Sequence, residues 1–246
     1  MYKYGLDDLA AEEHLNRQLA TIEIIASLQV QIDRPPASAS DVARLDEDLG
    51  DIPVKPSQSI HRGLSTAKDC LVDLSRVLGS NSSMSLSSAR ALMRTALMGA
   101  SRAAFVLVPD DHGERRANAA TVVRQEWFSL QRAMEALHPF EELKGLVPPE
   151  DFRADMKAKS ENLSRGPRMG EEKTIREMSE VAAKRLGGQD SSSVLTESLV
   201  WIWHSASGAA HAYGWPTMAG GDFIADFGMV VPVVHLAVDT AVKRWS

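Results

Sequence analysis

The stretch from Trp201 to Pro216, WIWHSASGAAHAYGWP, holds three of the chain's five tryptophans and two of its seven histidines, set among small Ser, Gly and Ala residues. Imidazole and indole N–H groups need partners when buried, so this mixture is unusual for a plain core helix and marks the best candidate site. On a helix, Glu197, His204 and His211 share one face, with Ser207 between the two histidines. A hydroxyl one turn from an imidazole could be oriented by it, or act as a nucleophile given a basic neighbour. The blander alternative is a serine bonded back to the carbonyl four residues earlier and histidines that satisfy neighbouring helix ends. Trp201 and Trp203 read chiefly as packing, whereas Trp215, between Gly214 and Pro216, can wall a pocket. Gly208, Ala209 and Ala210 allow another helix backbone to approach.

Metal chemistry on this helix fails on distance. Positions seven apart are ~10.5 Å apart along the axis, whereas each ligand of one zinc ion lies about 2 Å from it. Ligands such as His235 or carboxylates from other helices would be required. HExxH pairs, Walker loops and dinucleotide glycine patterns are missing, and GGQD at Gly187 and AGGD at Ala219 read as turns. The expectation is no metal and no cofactor.

A second group of chemically able residues lies mid-chain. Arg90, Arg94 and Ser101 project from one side of a helix, with Leu92, Ala96, Ala100 and Leu107 on the other. Arg115 and Arg116 open the next helix, where cations are mildly unfavourable. That cost points to an acidic partner or ligand, although a solvated face is the ordinary reading of such residues. The candidate ligand-binding set is therefore Arg94, Arg115, Ser207, His211, Trp203 and Trp215, and His211 is the candidate catalytic residue.

The elements that must hold these residues are helical. Gly5 to Asp33 carries Leu15, Leu19, Ile22, Ile25 and Ala26 on one face and stops at Arg34-Pro35-Pro36. Residues 34–57 form a long Pro-rich, acidic connection with room for one short helix near Asp41 to Leu49. The clearest helix runs from Ser57 or Ser59 to Leu78, with Gly79 as its stop. The next, from about Ser88 to Val108, has Arg102 as its one charge after Arg94, so most of its circumference must be covered by protein. From about Glu114 to Leu137, Val123, Trp127, Leu130, Met134 and Leu137 form a stripe. Pro148-Pro149-Glu150-Asp151 reads as a helix start, and Arg165-Gly166-Pro167 as a break. The helix from about Glu171 to Leu186 is charged on most sides and reads as peripheral. The Trp/His helix is expected to end near Gly214-Trp215-Pro216. Phe223 to Trp245 is apolar, and Pro232 within it predicts either a kink or a fresh start. The fold class is all-α, a bundle of about seven to nine helices in a single domain over 1–246, with no significant sheet.

Composition sets outer bounds. Residues 1–57 carry net charge −6, and the remainder balances 22 basic against 22 acidic residues. No basic face dominates, and the sequence pI near 5.7 argues against generic duplex nucleic-acid binding. A single Cys70, in DCLVDL, excludes an internal disulfide and reads as core filler. The apolar runs read as too short to span a bilayer and no leader pattern opens the chain, so the expectation is a cytoplasmic protein with no membrane partner.

The segment Ala89–Ala119, ARALMRTALMGASRAAFVLVPDDHGERRANA, resembles part of an uncharacterised all-helical family found in actinobacteria and phages. Its members show an R-x-x-x-E helix leading to a WLL-P turn and closely spaced arginines. The Trp201 stretch is similar to that family's W-x-x-x-S-x-x-x-H-G-x-x-W segment, matched by Trp203, Ser207, His211 and Trp215, as Arg94 and Arg115 match the earlier one. Met98 stands where the glutamate is expected and Ala212 where glycine follows the histidine, so a catalytic carboxylate at position 98 is absent. The resemblance covers about a quarter of the chain, and the family has no established activity. More distantly, it looks like HEPN-type helical proteins, some of which are metal-independent ribonucleases of toxin or phage-defence systems. Their R-x(4–6)-H segment has no clean copy here.

Three expectations follow. The first is a non-catalytic binding or interaction module with a polar pocket between the 88–108 and 193–214 helices, taking a small or anionic ligand. The second is a HEPN-related ribonuclease, a homodimer across an electropositive groove, and only this reading makes nucleic acid a partner. The third is a structural polar network that locks helices together.

Overall fold

The computed structural model describes residues 8–80, 83–137, 139–161, 163, 170–186, 192–211, 213–214, 216 and 222–246. Among them there are nine α-helices, one 3-10 turn and no strand. The helices are α1 (Asp8–Ile32), α2 (Asp41–Leu49), α3 (Pro56–Leu78), α4 (Leu86–Leu107) and α5 (His112–Leu137), followed by the 3-10 turn Glu141–Leu146. Then come α6 (Glu150–Glu161), α7 (Glu171–Leu186), α8 (Ser192–Ala210) and α9 (Phe223–Trp245).

Local chemistry sets the boundaries. Ser40 accepts from the Ala43 N–H at 3.1 Å to start α2, and Ser85 does the same for Ser88 to start α4. Pro56 opens α3, and Asp46 reaches across to take both the N–H and the hydroxyl of Ser57. Asp222 caps α9 by accepting from the Ile224 and Ala225 N–H groups. Each such cap typically contributes about 1 kcal/mol.

Helix α4 is the axis of the bundle and packs against α3, α5, α7, α8 and α9. Met93, Ala96, Leu97, Ala100, Ala103, Ala104 and Leu107 are all buried, as the near-absence of charge on this helix required. Helix α9 lies between α1 and α4, with Phe227, Val230, Val231, Val234 and Val238 fully buried against Ile22 and Ile25. Fully burying one such side chain is worth roughly 1.5–3 kcal/mol. Cys70 is in this core.

Two glycines bring α3 and α4 into backbone contact. A Cβ placed on Gly99 would lie 2.2 Å from the Gly63 carbonyl oxygen, so only glycine fits there. On α9, a Cβ at Gly228 would strike the imidazole of His14, 2.0 Å away. Pro232 neither breaks α9 nor starts a new helix; it sits inside one continuous helix. The end of α9 clasps the first connection, with the Trp245 indole donating to the Arg34 carbonyl at 2.7 Å and Ala37 N–H to the Trp245 carbonyl at 2.9 Å.

Four expectations are corrected. Helix α7 is not peripheral: Thr174, Ile175, Met178, Ser179, Ala182 and Ala183 are buried against α4 and α8. Small and hydroxyl-bearing residues pack that face, which hides it from a count of charges. Leu130 leaves the α5 stripe and is exposed, while Trp127 and Met134 pack on Met156 of α6. Helix α8 ends at Ala210, before the expected Gly214-Trp215-Pro216 stop. Finally, α9 is long and apolar enough to cross a membrane by length and composition, although the separate apolar runs are short; in the fold it is a core helix. The expected break at Arg165-Gly166-Pro167 and the start at Gly5 lie outside the described residues.

Candidate functional site

The sequence-nominated residues fall into two places. At the α4–α7–α8 junction, Arg94 donates from Nε to the Ser207 hydroxyl at 2.7 Å and from a terminal nitrogen to Glu171 at 2.9 Å. Arg102, two turns further along α4, approaches the other oxygen of the same carboxylate at 3.7 Å. Two guanidiniums on one helix stripe thus converge on a single acid supplied by the first turn of α7. Arg94, Arg102 and Glu171 each keep about a third of their side-chain surface in water (28%, 32% and 33%), so the cluster is reachable.

Ser207 holds this geometry in place. Its hydroxyl donates to the Trp203 carbonyl one turn back at 2.6 Å while its lone pair accepts from Arg94. The proton is committed to the backbone, and its neighbour is a donor rather than a base. The arrangement supplies positioning and no nucleophile. Trp203 stacks edge-on against His204, with centroids 4.6 Å apart, and its buried indole N–H has no hydrogen-bond partner among the described residues.

The flank of the junction is a second acid set. Glu172 pairs with Arg176 at 2.7 Å and with His204 at 3.2 Å. The Arg176 hydrogen bond, helped by His204, holds the Glu172 carboxyl below the usual carboxylate range. Ser179 donates to the Thr196 hydroxyl at 2.8 Å, a polar tie between α7 and α8.

His211 lies just past the end of α8 and is exposed. Its N–H bonds to the Ser207 carbonyl at 3.0 Å, and Tyr213 N–H to Gly208 carbonyl at 2.9 Å closes the helix. The imidazole faces the Tyr213 ring, centroids 6.1 Å apart, and no hydrogen bond or ion pair joins it to Arg94. Trp215 lies outside the described residues.

Arg115 is elsewhere, in a collar around the α4–α5 turn. It donates to the carbonyls of Pro109 and Asp110 at 2.9 and 2.7 Å and pairs with Asp41 at 3.4 Å. Asp41 also binds Arg244 at 2.5 Å, and Asp110 is held by Arg185 and Arg244. Burial pushes the Asp41 carboxyl up, but the Arg244 hydrogen bond and the charges of Arg115, Arg244 and His112 outweigh it, and the net shift is downward. The acidic partner that the N-terminal position of Arg115 called for is Asp41.

Sequence reasoning missed Glu171. An acid in the first turn of a helix is fully explained by the helix dipole, so nothing in the sequence marked it as the partner of Arg94 and Arg102. Among the described residues, no group of three or more His, Cys, Asp or Glu is placed to hold a metal ion.

The comparisons with known proteins add no relatives: no family model, no curated protein and no solved structure matches this chain.

Proposed function

We propose that this protein is a non-catalytic helical binding module that receives an acidic group, a carboxylate or a phosphate, at the α4–α7–α8 junction, with Glu171 as the internal carboxylate that fills the site in its absence. One observation carries the reading: Arg94 and Arg102 converge on one carboxylate about a third exposed while Ser207 fixes the Arg94 Nε. Two guanidiniums around one acid form an oxyanion receptor, since paired N–H donors match the oxygens of carboxylates and phosphates. The unpartnered buried donors nearby, Arg102 Nε and the Trp203 indole, are also groups that seek an acceptor. A cytoplasmic setting belongs to the proposal, in keeping with the one free thiol, Cys70.

The test is calorimetric titration of the full chain with inorganic phosphate and with glutarate. Saturable binding by the wild type, strengthened about tenfold in Glu171→Gln and abolished in Arg94→Ala, supports the reading. A wild type with no saturable binding to either anion sinks it and leaves the structural network, in which both variants only lower the melting temperature.

The ribonuclease reading has one feature in its favour, the solvent-exposed imidazole of His211 one turn beyond Ser207. It needs a general acid/base next to a phosphate-binding cation, whereas the charge of Arg94 is already matched by Glu171. Incubating the protein with a pool of RNAs decides it: cleavage that His211→Ala removes would replace the binding reading with an enzyme.

A further inference from the structure

The two guanidiniums at the α4–α7–α8 junction are filled to different degrees, and the difference narrows the chemistry of the guest. In an arginine, Nε–H and Nη2–H lie on one edge of the guanidinium and point the same way, so that edge takes two acceptors side by side. The Arg94 edge is full: Nε donates to Ser207 at 2.7 Å and Nη2 to Glu171 at 2.9 Å. The Arg102 edge is empty. Its Nη2 stands 3.7 Å from the second oxygen of Glu171, beyond hydrogen-bond range, and its Nε is buried with no acceptor among the described residues. The planar carboxylate of Glu171 thus completes one arginine and leaves the other short of two bonds.

A guest has to displace Glu171, and this sets a demand. A free carboxylate would repeat contacts that Glu171 already makes, against an acid of the same chain whose effective concentration is on the order of millimolar or above. It would also lose its own translational freedom. A successful guest must therefore make bonds that Glu171 does not, and the unfilled pair is the edge of Arg102. A tetrahedral oxyanion supplies a third oxygen, out of the plane of the first two. Charge points the same way. With Glu171 displaced, Arg94 and Arg102 present two positive charges; a carboxylate neutralises one, whereas a phosphomonoester carries about −1.5 to −2 at neutral pH. A phosphodiester has one charge and two free oxygens, and meets neither demand. The net charge of −6 also keeps polyanionic surfaces at a distance.

We propose that the junction takes the terminal phosphate of a small soluble phosphomonoester, with Arg94 and Arg102 gripping different oxygens. The Arg102 Nε–H is then bonded only when the guest is in place. Resting on the anion-receptor reading above, this makes Arg102 the residue that separates phosphate from carboxylate.

The probes are methyl phosphate, dimethyl phosphate and acetate, each titrated at pH 7.5 into the full chain while the arginine Nε–Hε resonances are followed by NMR. The wild type should bind methyl phosphate about tenfold tighter than either other probe. A saturable shift of the Arg102 resonance, identified by its loss in Arg102→Lys, should accompany that binding. Arg102→Lys keeps the charge and loses the edge, so the preference for methyl phosphate over acetate should fall to about threefold or less. Glu171→Gln removes the tethered rival and should tighten methyl phosphate and acetate by the same factor, leaving their ratio unchanged. If Arg102→Lys does not fold, the probe ratios in the wild type and in Glu171→Gln still decide. Acetate or dimethyl phosphate binding as tightly as methyl phosphate overturns the phosphomonoester assignment while the anion receptor stands. No saturable binding of any probe overturns both. A preference that survives Arg102→Lys intact overturns the role of Arg102.

Discussion

The junction at Arg94 and the collar at Arg115 use the same residue type for different ends. Arg115 is buried and bonds mainly to backbone carbonyls, so its contacts cannot be exchanged without unmaking the α4–α5 turn. Among the described residues Arg94 bonds to side chains alone, Ser207 and Glu171, in a cluster about one-third in water. A carboxylate on a side chain can be replaced by another acid; a main-chain carbonyl cannot. The comparison teaches that one arginine is architecture, while the other, in the function we propose, is a receptor whose resident acid is covalently tethered. Arg90 is a third kind, buried like Arg115 but supplied with fewer partners than either.

The comparison breaks first at the collar. Arg115→Ala takes the donor from two turn carbonyls and one of the two cations from Asp41, which keeps Arg244, and should cost about 3 kcal/mol by denaturant melts; a loss as small as that of Arg94→Ala would erase the distinction. Next is Asp226, whose folded pKa of about 6 stands above its ordinary 3.8. Its proton is bound more tightly in the folded state, so this carboxyl lowers stability as pH rises from about 4 through 6. Asp226→Asn should therefore stabilise by about 2 kcal/mol at pH 7.5, allowing for partial solvent contact, and by nothing near pH 4. A gain that is flat with pH would mean the carboxyl is not raised.

Arg94→Ala should cost about 1 kcal/mol, and half of that should vanish in molar salt, as for a partly exposed pair. Asp41 has the opposite sign to Asp226. Its folded pKa is depressed, so the advantage of the wild type over Asp41→Asn should hold above the ordinary 3.8 and fade as pH falls below it. The smallest effect belongs to His204→Ala, on the exposed Glu172 pair, which should leave the denaturation midpoint unchanged; a clear drop would put Glu172 in the load of the junction.

Much of the fold was legible because helix punctuation is local. The short helix anticipated near Asp41 to Leu49 is α2, capped by Ser40 and stopped by Gly50. Pro148-Pro149 precedes α6 as expected, and the poverty of charge after Arg94 foretold a covered α4. The candidate site was half legible. Arg94 and Ser207 do meet, but Arg115 does not join them, because residues 94 and 115 belong to different helices and spacing says nothing of tertiary direction. The end of α8 was misread by the eye for Gly and Pro, since the helix closes through a Tyr213-to-Gly208 backbone bond that no residue type announces. The buried face of α7 is built from Thr, Ser, Ala and two larger apolar residues, a pattern too mild to stand out against its charges.

The Gly63–Gly99 crossing has a mechanical implication. With the main chains of α3 and α4 seated directly on one another, the helix that carries Arg90, Arg94 and Arg102 can neither slide nor roll. In the function we propose, room for a guest comes from the opposite wall, as Glu171 in the first turn of α7 gives up its place. Amide protons of α7 should therefore exchange faster with a guest present, while those of α4 keep time as before.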